Sequence, residues 1–147
     1  MTISTSSKRE KEVSETEKVL ELFKKYNCAQ AVFAACGPCE GFTEEMCLVA
    51  AGPFGGGMGR MGETCGAVTG ALLTLGVRYG QEMATNPAEA REPLYTRVND
   101  FAEAFKARHG SLICRELKDP KQPKEQALKN ACRNLLVSAV ELLKEQQ

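Results

Sequence analysis

The sequence predicts an all-α, single-domain helical bundle of about five to seven helices with a glycine-rich central loop. Three observations predict it. Apolar residues recur three and four positions apart in segment after segment, the spacing of one helix face. No stretch alternates apolar and polar residues with the period of two that a half-buried strand shows. The turn-forming pairs Gly37-Pro38, Gly52-Pro53, Asn86-Pro87 and Asp119-Pro120 fall between periodic segments.

Residues 1–12 are rich in Ser, Thr and charge and lack periodicity, which predicts a frayed or disordered leader before a domain over 13–147. Ser14 with Glu17 forms a capping box, and Val19, Leu20, Phe23 and Tyr26 follow at helical spacing, so a first helix runs to about Lys25. Asn27 caps a second helix in which Cys28, Val32, Ala35 and Cys36 share a face, and Gly37-Pro38 ends it. Thr43 caps a third, Glu44 to Ala51. After the glycine loop a helix is expected from about Glu63 to Tyr79. Leu94, Val98, Phe101, Ala102 and Phe105 form the stripe of the next, with Pro93 in an early turn and Gly110 as its stop. Ser111 to Leu117 reads as a short helical turn carrying Cys114. The last helix spans about Lys124 to Lys144 and places Leu128, Cys132, Leu135, Leu136, Ala139 and Leu143 on one face.

Composition narrows the function classes. The 147 residues carry 19 basic and 19 acidic side chains, so no excess of positive charge points to nucleic acid or an anionic membrane. The longest nearly apolar run, Cys65 to Val77, is shorter than the roughly 20 residues that span a bilayer. Met1 to Val13 is polar and charged, unlike a secretory signal, so a cytoplasmic location is the expectation. Seven cysteines are many for such a chain, and the odd count leaves one over from any complete set of bridges. In a reducing compartment they point to metal ligands, redox groups or inert core residues. The single histidine, His109, excludes a histidine-rich metal site.

The densest local signal is Gly52-Pro53-Phe54-Gly55-Gly56-Gly57-Met58-Gly59-Arg60-Met61-Gly62, running into an apolar segment that holds Cys65. Glycine loses the most backbone entropy on folding, so the cluster implies positive φ or close backbone approach. Gly62, Gly66 and Gly70 lie four apart and would form one flat ridge on a helix. Cys65 would then sit in the first helical turn, where unpaired N–H groups and the helix dipole favour a thiolate, with Arg60 adding positive charge. Gly57 to Gly62 spells G-x-G-x-x-G, but no strand precedes it, so a dinucleotide fingerprint is not supported.

Cys36-Gly37-Pro38-Cys39 matches a dithiol motif, but here it closes a helix, whose C-terminal dipole disfavours a thiolate at Cys36. It reads either as a Gly-Pro helix stop flanked by cysteines or as an accessory dithiol. With Cys47 it would offer three sulfur ligands.

The block Cys65-Gly66-Ala67-Val68-Thr69-Gly70 resembles the signature of the C_GCAxxG_C_C family of redox-active proteins, named for a CGAxxG motif and three further cysteines. Asn27-Cys28-Ala29-Gln30-Ala31-Val32 is similar to its first cysteine block, Phe54-Gly55-Gly56-Gly57 through Gly70 to its centre, and Cys114 and Cys132 to its third and fourth cysteine positions. The resemblance covers most of the chain after the leader and implies an all-helical fold and a redox role. Cys36, Cys39 and Cys47 stand outside that pattern.

Three functions follow from these residues. The first is a thiol–disulfide redox protein using Cys65 with Cys28, Cys114 or Cys132, supported by the loop glycines Gly55, Gly56, Gly57, Gly59, Gly62, Gly66 and Gly70. Its partner would be another protein or a small thiol. The second is a zinc or iron–sulfur protein ligated by the same four cysteines, with no cofactor assigned. The third is a helical interaction module with inert buried cysteines. A bundle core would bring the four cysteines together, with Cys39 and Cys47 farther out.

Overall fold

The computed structural model describes residues 15–117 and 124–147, with side chains over 15–117 and 131–147. Among the described residues seven α-helices follow one another: α1 (residues 15–23), α2 (Cys28–Cys36), α3 (Glu44–Ala51), α4 (Gly66–Tyr79), α5 (Pro87–His109), α6 (Cys114–Leu117) and α7 (Lys124–Glu145). Short 3-10 turns at Gly52–Phe54 and Gln81–Ala84 join them. The described residues contain isolated β-bridges and no strand, so the all-α prediction holds. None of their helices is long and apolar enough to cross a membrane.

Helix α2 is the centre. Apart from Gln30 and Phe33 its side chains are small, and Ala29, Ala31, Val32 and Ala34 are fully buried, which lets both α3 and α4 pack against it. Its start is fixed by a reciprocal cap: Gln30 N–H donates to Asn27 Oδ1 at 2.9 Å, and Asn27 N–H to Gln30 Oε1 at 3.0 Å. The same two side chains reach outward. Asn27 Nδ2 donates to the Gly52 carbonyl at 3.0 Å and Gln30 Nε2 to the Leu48 carbonyl at 2.9 Å. One short motif therefore caps α2 and anchors the chain entering the glycine loop.

The main core joins α1, α2, α4, α5 and α7 through Val19, Val32, Val68, Leu75, Phe101, Phe105, Leu136 and Leu143. A smaller core of Ala29, Phe33, Ala34, Cys47, Ala51 and Val77 lies between α2, α3 and α4. Thr43 caps α3 by accepting from Met46 N–H at 3.1 Å, and Gly110 ends α5 at a left-handed φ of 87°.

Two helix boundaries and the burial of one cysteine differ from expectation. Helix α4 starts at Gly66, not near Glu63, because the preceding residues form a left-handed turn. Helix α5 begins at Pro87 and runs through Pro93. The hydrogen bond that Pro93 cannot make falls on an exposed part of the helix, where the Glu89 carbonyl is open to solvent. Cys47, expected near the surface, is fully buried in the smaller core. The leader, the Ser14 cap and the connection at Asp119-Pro120 and Pro123 lie outside the described residues.

Candidate functional site

The site is built on the glycine loop. Gly56, Gly57, Met58, Gly59 and Arg60 have φ values of 64°, 69°, 67°, 58° and 69°, so five consecutive residues wind left-handed, and Gly62 follows at 72°. L-residues resist this conformation, and the three glycines among the five make it affordable around Met58 and Arg60. The turn closes on itself: Arg60 N–H donates to the Gly55 carbonyl at 3.0 Å, Gly62 N–H to Gly56 at 3.2 Å and Glu63 N–H to Gly57 at 2.9 Å.

The outgoing segment of this loop then pairs with the residues leading into α6. Cys65 N–H donates to the Leu112 carbonyl at 2.8 Å, Cys114 N–H to Glu63 at 2.6 Å and Arg115 N–H to Gly62 at 3.1 Å. Arg115 also bridges to Glu63 at 3.0 Å. This pairing carries Cys114 to the loop. A Cβ placed on Gly57 would stand 2.6 Å from the Cys114 Cβ and 2.8 Å from Glu63 N, so only glycine fits there.

Cys28 reaches the same place from α2. A Cβ on Gly66 would lie 3.0 Å from Cys28 Sγ, which puts that sulfur directly over the residue following Cys65. Gly70 continues the close approach one turn on, where a Cβ would be 2.7 Å from the Ala29 carbonyl oxygen and 2.9 Å from Val32 Cβ. The expected glycine ridge is therefore real for Gly66 and Gly70, and it faces α2. Gly62 is not part of it, because its left-handed φ places it outside the helix.

Cys65 is the N-cap of α4, not a residue of its first turn. Burial pushes its thiol up from 9.0 to about 12. The backbone N–H groups of Ala67 and Val68 oppose that rise, while the nearby Cys28 and Cys114 add to it. The expectation that a helix start would favour a thiolate at Cys65 fails here: with 4% of its surface exposed, desolvation outweighs the two N–H donors. Cys28 is half-buried, and burial raises its thiol too. Three N–H groups pull the other way: Gly56 from the left-handed turn, and Cys28 and Ala29 from the start of α2; the charge of Cys114 raises it further. The charge of Cys114 thus acts on Cys28, and those of Cys28 and Cys114 on Cys65, although the three come from α2, the α4 cap and α6.

Cys132 is half-buried on α7. Cys36 is buried at the end of α2, and Cys39 is exposed in a tight turn whose ends, Cys39 and Phe42, exchange two 3.0 Å hydrogen bonds. Among the described residues no cysteine is joined to another by a disulfide. Among the described residues no three His, Cys, Asp or Glu side chains are placed to hold a metal ion. Arg60 is exposed and, with Asn27, Gly52, Gly55, Gly56 and Gly59, lines a pocket of about 380 Å³ beside the loop. His109 packs its ring 4.7 Å from that of Phe105 at the end of α5.

Gly56 and Cys114 were expected at the site, but the way each is brought into play was not foreseen from the residues. Gly56 acts through its N–H on Cys28, and the pairing of residues 62–65 with 112–115 delivers Cys114. The glycine density signalled an unusual loop, but nothing local indicated its hand at Met58 and Arg60.

The fold and site define a small helical protein with cysteines gathered around a glycine turn. The chain belongs to the C_GCAxxG_C_C family, described as "putative redox-active protein", whose model matches residues 26–146. No curated protein and no solved structure matches it.

Proposed function

We propose that this protein is a thiol–disulfide redox protein whose working cysteines are drawn from Cys28, Cys65, Cys114 and Cys132. The observation that carries the reading is the convergence of three cysteines on the left-handed glycine turn: Cys28 Sγ lies over Gly66, Cys114 lies against Gly57, and Cys65 caps α4 between them. Cys28 is the attacking thiol. It is more exposed than Cys65, and the backbone N–H groups of Gly56, Cys28 and Ala29 favour its thiolate against the effect of burial. Its thiolate attacks one sulfur of a partner disulfide, breaking the S–S bond and releasing one partner thiol. Cys65 or Cys114 then gives up its proton and attacks the Cys28 sulfur. That step releases the second thiol and leaves a disulfide in the protein.

Mapping thiols by mass spectrometry before and after mild oxidation tests this. A loss of two thiols confined to peptides holding Cys28, Cys65, Cys114 or Cys132, and reversed by a dithiol reductant, is the expected result. Anaerobic purification with metal analysis is run on the same preparation. No reversible pair among the four would defeat the proposal, and stoichiometric zinc or iron with no reversible pair would establish the metal reading instead.

A further inference from the structure

At the opposite end of α2 from Cys28, a second pair of cysteines lines one pocket. The helix separates the two ends by roughly 12 Å, at about 1.5 Å per residue. The pocket holds about 410 Å³ and is lined by Cys36, Gly37, Pro38 and Cys39 together with Glu15, Lys18 and Arg78. Neither Cys36 nor Cys39 is used by the function proposed above.

Gly37 has a packing reason of its own: a Cβ there would stand 2.5 Å from the Phe33 ring. Helix termination therefore explains the Gly-Pro pair but leaves the two sulfurs and the charged wall unexplained. Arg78 reaches in from the last turn of α4. Its Nη2 donates to the Cys36 carbonyl at 3.0 Å and stands 3.9 Å from Glu15 Oε1. Its Nη1 is buried with no hydrogen-bond partner. An unpaired buried guanidinium donor is unfavourable, and a ligand oxygen would satisfy it. Lys18, at the exposed rim, pairs with Glu44 at 3.3 Å and leaves one face of its ammonium to solvent. The Cys36 thiol lies within the field of Arg78, Lys18 and Lys144, opposed by Glu15.

We propose that this pocket is a second redox site, for a low-molecular-weight disulfide carrying carboxylates. Arg78 and Lys18 bind the carboxylates, Cys39 is the exposed thiol that reacts first, and Cys36 resolves. Cys39 loses its proton to solvent and its thiolate attacks one sulfur of the small disulfide. The S–S bond breaks, one small thiolate leaves and takes up a proton, and a mixed disulfide remains on Cys39. Cys36 then loses its proton and attacks Cys39 Sγ, releasing the second small thiol. The protein pair is oxidised by two electrons and the small disulfide is reduced to two thiols.

Oxidised glutathione serves as the anionic probe and hydroxyethyl disulfide as the neutral one, with products located by peptide mass spectrometry. In the wild type, the peptides containing Cys36 and Cys39 lose two thiols and retain no adduct. Cys36→Ser retains one glutathione on Cys39, and Cys39→Ser retains none. Arg78→Gln and Lys18→Gln each slow the reaction of Cys39 with oxidised glutathione about tenfold, which is the loss of one charge-assisted contact of about 1.4 kcal/mol. Neither changes the rate with hydroxyethyl disulfide. Lys18→Gln carries this arm if Arg78→Gln does not fold. Equal slowing with both probes would overturn the binding assignment. Trapping of the adduct in Cys47→Ser instead of Cys36→Ser would overturn the resolving role of Cys36, since the charge of Cys39 acts on the Cys47 thiol. The Cys28 site reports on separate peptides, so the two proposals stand or fall independently.

Discussion

At the scale of single residues, the glycines of α4 do different jobs, and substitution separates them. Gly70 faces α2, where an added Cβ would meet backbone and a β-branched side chain at 2.7 and 2.9 Å. Gly76 is on the same helix, yet a Cβ there would meet nothing within 4 Å. It lines an apolar groove of about 770 Å³ with Leu72, Leu73 and Val77. Gly70→Ala should destabilise the protein by about 1–3 kcal/mol through overpacking. Gly76→Ala should stabilise it by about 1 kcal/mol, because alanine is the better helix former. Urea unfolding of both variants checks the pair, and a loss of stability in Gly76→Ala would show that the helix tolerates no Cβ there.

At the scale of elements, the start of α2 couples stability to the chemistry of Cys28. Asn27 caps the helix and holds the Gly52 carbonyl, and Gly55 packs so closely on it that a Cβ there would stand 2.5 Å from Asn27 Nδ2. Removing this side chain frees the N–H groups of Cys28 and Ala29 from a fixed direction and loosens the entry to the glycine turn. Asn27→Ala should lower stability by about 1–2 kcal/mol, the usual consequence of losing such a cap. Under native conditions it should also slow alkylation of Cys28 near neutral pH, because a frayed helix start no longer stabilises the thiolate. Alkylation rates followed by peptide mass spectrometry read this directly. An unchanged or faster Cys28 rate would mean that exposure, not N–H donation, controls the residue.

At the scale of the whole molecule, burial of thiols sets a stability limit at alkaline pH. Burial raises Cys36 and Cys65 from 9.0 to about 12. Their folded-state pKa lies above the unfolded value, so the unfolded chain releases their protons first as pH rises. The stability these neutral thiols contribute is fully present below about pH 9 and is lost as pH rises from there towards 12. Denaturation midpoints measured from pH 8 to 11 should therefore fall, and Cys65→Ala should fall less steeply than the wild type. Parallel curves for the two proteins would show that Cys65 ionises in the folded state as readily as in the unfolded one.

The sequence by itself determined what depends on neighbours along the chain. The Asn27 and Thr43 caps, the stop at Gly37-Pro38, the end of α5 at Gly110 and the spans of α3 and α7 all rest on local hydrogen bonding and helical periodicity. The CGAxxG block with its flanking cysteines was enough to indicate the family, and the close-packed face of Gly66 and Gly70 was readable from spacing alone. Tertiary structure decided the rest. The left-handed course through Met58 and Arg60 postponed α4 to Gly66 and made Cys65 a cap, since a turn closed by bonds from residues 60–63 back to 55–57 has no signature in residue type. Desolvation, which depends on every element packed around a sulfur, reversed the expected direction at Cys65 and buried Cys47. Which sulfurs meet is likewise a property of chain crossings: α6 is sewn to the glycine turn and α2 lies against Gly66, and neither contact is local in the sequence.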